Sequence, residues 1–279
     1  MACYTVSLTS NETIYCKTIK SSTVNLYVTD AAKLAIFNNK PEPTKNALNQ
    51  RSSYIANVIN EHKRWEFMPN HREPLTYSMV DHLFNITHIP IMNPQNDTLP
   101  ASVIDWFILG MHTGMRKSEW CQDCYLLKKT QQVIPNRDGS PSAFTLDDFI
   151  FQGPRSQRID NSRHSTISNE KIVQLCWHFQ KNGNNGEILT YMANDTFPYR
   201  CPVRAALRIR ERAICLQVPP ALPIDVFRND NGFSQYIDDS HVIQIMQFLA
   251  KTVYNITDPD DLARFTCDSI RVGCMCPPS

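Results

Sequence analysis

Thr113-Gly114-Met115-Arg116-Lys117-Ser118-Glu119-Trp120 is the stretch on which the reading of this chain turns. It follows a strongly apolar run, Ala101 to Met111, that includes Val103, Ile104, Trp106, Phe107, Ile108 and Leu109. Such a run reads as a buried helix. Gly114 breaks that helix and Arg116 opens the next one, with Glu119 one turn further on and on the same side. Far along the chain a second arginine stands in Phe265-Thr266-Cys267-Asp268-Ser269-Ile270-Arg271-Val272-Gly273. Two distant guanidiniums brought together by folding would clamp one phosphate, because each presents planar N–H donors to its oxygens.

Outward from these motifs, residues 24–38 suit an amphipathic helix through Val24, Leu26, Tyr27, Ala31, Leu34, Ala35 and Phe37, ended by Pro41 and Pro43. Residues 47–67 form a second helical pattern, with Ile55, Val58, Ile59, His62 and Phe67 on one side. Pro69 to Pro74 reads as a linker, which places a domain boundary between residues 71 and 72. A helix begins at Thr76 with Met79, Val80, Leu83 and Phe84 as its stripe, and Ile89 to Pro100, with three prolines, reads as a loop.

Residues 133–180 read as β-rich. Phe144, Leu146, Phe149 and Phe151 are spaced by polar residues, and Val173, Leu175, Trp177 and Phe179 alternate with Gln174, Cys176, His178 and Gln180. Lys181-Asn182-Gly183 then precedes Ile188 to Met192, the pattern of a hairpin; a helix over 170–179 is the alternative. Pro202 opens another helix, in which Arg204, Arg208 and Arg212, with Arg200 before them, share one face. That face reads either as a phosphate-tracking stripe or as a solvated, salt-bridged surface. Residues 239–254 form a further helix, and Asp258 caps a last helical segment running into the second arginine motif. The expected architecture is mainly α with a small antiparallel β-sheet (α+β): a small helical domain over 1–71 and a larger one over 72–279.

The composition sets the outer limits. The chain has 279 residues, 42% hydrophobic and 20% charged, which fits a folded protein with a substantial core. Its net charge of +1 excludes a global basic field, so any polyanion binding must come from local clusters. The ten cysteines sit mostly in apolar surroundings, such as those of Cys176 and Cys215, and read as reduced core thiols. Cys121-x-x-Cys124 and Cys274-x-Cys276 resemble zinc half-sites and support a third reading, a zinc-dependent interaction module. They lack the paired CxxC spacing of a structural zinc site, so the expectation is no metal and no cofactor. Neither a secretory signal nor a membrane span is visible, which makes the expected location intracellular.

The two arginine motifs resemble those of the tyrosine recombinases, or phage-type integrases. Arg116, within Thr-Gly-Met-Arg-Lys-Ser-Glu, matches the family's first arginine, and Glu119 the acidic residue that orients it. Lys181 matches the hairpin lysine, and Arg271, in Ser-Ile-Arg-Val-Gly, the second arginine. The order along the chain is the family's order, and the likeness runs from about residue 72 to 273. The resemblance implies a catalytic-domain-like fold preceded by a helical DNA-clamping domain. It also implies a chemistry in which a tyrosine hydroxyl attacks a DNA phosphodiester and forms a 3′-phosphotyrosyl link. Two arginines hold the non-bridging oxygens, the lysine gives a proton to the leaving 5′-oxygen, and a histidine handles proton transfer.

Three positions depart from that pattern. Asp268 stands where the family carries histidine, the downstream His or Trp is missing, and Val272 to Ser279 hold no tyrosine. The expectation is therefore a truncated or degenerate member of mobile-element type. It either takes its tyrosine from a partner subunit or is a remnant that binds DNA without cutting it. The implied partner is double-stranded DNA, with a possible homo-oligomer on the DNA and no small-molecule substrate; the location would be the nucleus in a eukaryote. Arg155, Arg158 and Arg163, in a polar loop, join Arg204, Arg208 and Arg212 as candidates for backbone contacts.

Overall fold

The structure is a computed structural model that describes residues 21–46, 50–65, 72–87, 97–123, 141–155, 157–159, 171–177 and 185–275. The chain divides into two compact units, Met1–Asn70 and His71–Ser279. In the first unit, helix α1 (Ser21–Phe37) packs on α2 (Ser53–Trp65) around Val24, Val28 and Ile55. The chain leaves α1 through Asn39, whose φ of 55° lies in the left-handed region that asparagine tolerates. Of the apolar positions expected to line α1, Leu26, Leu34 and Phe37 are exposed; Val28, four residues after Val24, completes the buried side instead.

The second unit is built on α4 (Leu99–Thr113), which is buried at every position from Ala101 to Met111. Its first turn contains Pro100, so the loop expected to reach that residue ends earlier; a proline in a first turn forfeits no helical hydrogen bond. Around α4 lie α3 (Tyr77–Thr87), α6 (Pro202–Cys215), α7 (Asp239–Tyr254) and α9 (Asp268–Met275). The short helices α5 (Lys117–Trp120) and α8 (Pro259–Leu262) are connectors. Met79, Val80, Leu83 and Phe84 are the buried face of α3, the stripe read from the sequence. Asp258 caps α8, its side chain accepting from the backbone N–H of Asp260 at 2.7 Å.

Antiparallel strands β1 (Phe149–Gln152), β2 (Arg158–Ile159), β3 (Ile172–Cys176) and β4 (Ile188–Met192) form one sheet in the order β2-β1-β3-β4. Residues 172–176 are a strand, not a helix, and their alternation decides which side faces inward. Phe149, Phe151, Val173 and Leu175 pair across the sheet and are buried, while Ile188 and Met192 look outward. Leu146 lies in a 3₁₀ turn before β1 rather than in a strand. The structure adds a second hairpin, β5 (Val226–Arg228) and β6 (Ser234–Tyr236), absent from the sequence reading although Asn229-Asp230-Asn231-Gly232 carries its turn signal. The coarse expectation, mixed α with a small antiparallel sheet, thus agrees with the structure.

The C-terminal half of the arginine stripe of α6 does not face solvent. Arg208 and Arg212 are each 2% exposed and converge on Asp105 of α4. Arg208 Nε donates to one oxygen and Arg212 Nη2 to the other, both at 2.7 Å. Arg210, also buried, donates to Glu211 at 2.7 Å and stacks its guanidinium over Phe151, 4.6 Å from the ring centre. The expectation of phosphate contacts from Arg208 and Arg212 is therefore corrected. Asp105, a lone acid within an apolar helix, is the counter-charge that draws those guanidiniums inside. Cys215 is exposed rather than a core thiol, whereas Cys121, Cys201 and Cys267 are buried.

Candidate functional site

The site is assembled where α4 ends. Gly114 takes a left-handed conformation (φ 64°, ψ 24°) and its N–H closes back on Gly110 O at 2.8 Å. This αL ending turns the chain sharply, so that Met115 points inward and Arg116 becomes the N-cap of α5. Glu119 fixes Arg116 twice. Its Oε2 accepts the Arg116 backbone N–H at 2.7 Å, and its Oε1 accepts Arg116 Nη1 at 3.3 Å. Glu119 is itself buried and accepts a third hydrogen bond, from the Trp177 indole at 3.2 Å. The remaining guanidinium nitrogens of Arg116 have no hydrogen-bond partner among the described residues.

Helix α9 brings the second motif to the same corner. Ile270 is fully buried against Gly110, and Cys274 lies against Gly114, where an added Cβ would stand 3.4 Å from its Sγ. Leu75 N–H donates to Ser269 O at 2.9 Å, and the Leu75 backbone runs so close to Gly273 that no side chain fits there. Arg271, one turn before Cys274, is exposed and makes no ion pair or hydrogen bond among the described residues. The two reach each other electrostatically: burial raises the Cys274 thiol pKa, and the charge of Arg271 works against that rise. The end of α4 that leads to Arg116 and the helix that carries Arg271 are thus held together by two glycine contacts, and a third, at Gly273, fixes α9 against Leu75.

Other groups surround this corner. Tyr191 of β4 donates its hydroxyl to His112 O at 3.1 Å and meets the His112 ring edge-on. Burial, then Cys274 and Glu187, push its pKa up to about 12, so it is a neutral donor at physiological pH. His112 Nε2 lies 3.1 Å from Arg200 O, and burial lowers its pKa despite that contact. Lys117 bonds Asp239 at 2.6 Å and Asp123 at 3.4 Å. Burial opposes its charge, but Asp239 and Asp123 outweigh burial and raise its pKa, which commits this lysine to structure.

The remaining predicted residues divide clearly. Asp268 is exposed in the first turn of α9. Arg155, in the turn after β1, and Arg158, in edge strand β2, are exposed and pair with no carboxylate among the described residues. Arg204 is half-buried and donates to Asp195 at 2.8 Å, and Arg200 is held bidentate by Asp81. Lys181 and Arg163 lie outside the described residues. The hairpin expected around Lys181 is present on either side of it: Trp177 N–H donates to Glu187 O at 2.9 Å, and Gly186 N–H to Trp177 O at 2.6 Å.

Sequence reasoning missed the Trp177 indole bond to Glu119, because Trp177 reads as core and nothing local marks its donor. It also missed Asp105 as a partner for α6. For the zinc reading, Cys121 neighbours Cys267, and Cys124 and Cys276 lie outside the described residues. No group of three or more His, Cys, Asp or Glu among the described residues could hold a metal ion. No helix among them is long and apolar enough to cross a membrane.

The class these observations define is an α+β protein with two arginine-bearing motifs joined at one corner. Beyond that class, no protein-family model matches the chain, and no curated protein matches it.

Proposed function

We propose that this chain is a double-stranded-DNA-binding protein of the tyrosine recombinase type, in which Arg116 and Arg271 hold one backbone phosphate. One observation carries the reading. Most described arginines of the larger unit are neutralised by a carboxylate, as are Arg200, Arg204, Arg208, Arg212, Arg228 and Arg264. Arg271 has no such partner among the described residues, and Arg116 shares one nitrogen with Glu119. Guanidiniums left incompletely paired on adjoining elements suit an external dianion or phosphodiester. Arg155 and Arg158 would add contacts along the backbone.

The family resemblance extends this to integration and recombination by strand cleavage and rejoining, with Lys181 as the acid for the leaving oxygen and the protein acting as an oligomer on DNA, in the nucleus if the source is eukaryotic. Tyr191 is the phenol beside α9. Its hydroxyl is committed to His112 O and burial raises its pKa, which makes Tyr191 a poor nucleophile; in this reading the cleaving tyrosine comes from a partner subunit. A second reading, binding without cutting, is favoured by Asp268. An exposed carboxylate one turn from Arg271, where the family's motif carries histidine, repels a phosphate.

Duplex-DNA affinity across a salt series tests the reading, for the native chain and for the Arg116→Ala, Arg271→Ala double variant. Loss of one shared phosphate contact reduces the slope of log affinity against log salt by about 0.9. Equal slopes refute the two-arginine clamp. Covalent protein–DNA adduct on a nicked duplex separates cleavage from binding alone.

A further inference from the structure

We propose that Trp177 is a positioning residue for Arg116, acting through the Glu119 carboxylate and tying Arg116 to the base of the β3–β4 hairpin. The consequence for DNA rests on the reading of Arg116 as a phosphate ligand; the coupling itself is a property of the DNA-free chain. The Trp177 indole N–H donates to Glu119 Oε2 at 3.2 Å, and that same oxygen accepts the Arg116 backbone N–H at 2.7 Å. The other oxygen accepts Arg116 Nη1 at 3.3 Å. One buried carboxylate therefore meets donors from both sides, and removing either changes where the oxygens rest.

Packing aims the indole. Trp177 meets Phe144 edge-to-face with centroids 5.1 Å apart, and Phe144 N–H donates to Glu119 O at 2.8 Å. The backbone of Trp177 closes the hairpin through Glu187 O and Gly186 N–H, so the residue that pins Glu119 also joins both ends of the segment containing Lys181. Phenylalanine would fill most of the same space, which leaves the indole N–H as the reason for tryptophan here. Two other buried indoles make the contrast. Trp106 and Trp120 stack at 5.5 Å, and the N–H of each has no hydrogen-bond partner among the described residues. Their role is packing, whereas the donor of Trp177 is committed to a charged acceptor, the stronger kind of bond.

The test compares W177F with W120F in the full chain, without DNA, by amide hydrogen exchange read by NMR. W177F is expected to speed exchange of the Arg116 amide about tenfold, the equivalent of one charge-assisted hydrogen bond. W120F, which loses similar apolar bulk but no bonded donor, is expected to leave the Arg116 amide close to native. Equal effects of the two variants, or none from W177F, overturn the proposal. Should W177F not fold, E119Q serves: the Trp177 indole N–H resonance is expected to move upfield when its acceptor loses charge, and an unmoved resonance overturns the proposal. With duplex DNA, W177F is expected to lower the salt slope as R116A does, and the double variant to add nothing. If R116A itself leaves the slope unchanged, the DNA reading fails while the exchange result still decides the coupling.

Discussion

Ile270 of α9 packs so closely on Gly110 of α4 that a methyl group on the glycine would overlap its Cγ2. A β-branched side chain is stiff and cannot swing away. The contact holds the second arginine motif against the end of the helix that leads to the first. Gly273, one turn further along α9, makes a second close contact, against the backbone carbonyl of Leu75.

Gly273→Ala is the sharper test of this docking. Alanine gains about 1 kcal/mol over glycine in a helix. Here the obstacle is main chain, so α9 must shift, and overpacking of that kind costs about 1–3 kcal/mol. The expected net result is lower stability in urea denaturation and weaker DNA binding together. A G273A variant more stable than native would refute the close approach.

Arg208 and Arg271 should behave oppositely. Asp105→Ala leaves Arg208 and Arg212 buried without their carboxylate, which costs about 3–5 kcal/mol. Arg208→Ala is expected to destabilise the fold without altering the salt slope for DNA. Arg271→Ala removes an exposed side chain and should change stability by no more than about 0.5 kcal/mol, while lowering the slope. A slope change with R208A and none with R271A would reverse the assignment.

Asp268→His places in the first turn of α9 the histidine that the tyrosine recombinase motif carries. The exchange removes a carboxylate that favours the helix N-terminus, a loss of about 0.3–1 kcal/mol. It also removes a negative charge one turn from Arg271. Stability should fall slightly and affinity for duplex DNA should rise, most at low salt. Unchanged affinity would show that Asp268 does not face the bound phosphate.

Asp225 supplies the pH dependence. It is fully buried, and burial raises its pKa well above that of a free carboxyl, although Gln122 Nε2 donates to both oxygens at 3.2 and 3.3 Å. A carboxyl whose folded pKa is raised binds more protons folded than unfolded, so its stabilising contribution is full below about pH 4 and is lost as pH rises through the folded pKa. Asp225→Asn, a neutral isostere, is therefore expected to gain stability relative to native as pH is raised from about 4 to about 8. A difference independent of pH would refute a raised pKa.

Local pattern made much of the fold legible. The stripe of α3, the buried run of α4, the limits of α7 and the alternation of Val173, Leu175 and Trp177 each follow from one period and one set of flanking breakers, and short-range sterics enforce both. Gly114 was readable as a helix end because only a residue tolerant of positive φ turns the chain there. The pair Arg116 and Glu119 was readable because one helical turn separates them.

Tertiary structure alone decided which charges face water. Arg204, Arg208 and Arg212 share a spacing, yet the nearby Asp195 leaves the first half-buried at the surface, while Asp105, more than 100 positions away, draws the other two inside. Arg271 keeps its charge exposed and forms no ion pair with a carboxylate among the described residues. The Trp177 bond to Glu119 spans 58 positions and has no periodic trace. Periodicity and turn chemistry are local, and the sequence by itself determines them. The fate of a charge depends on what the fold sets within about 4 Å of it, where desolvation and pairing outweigh every local preference.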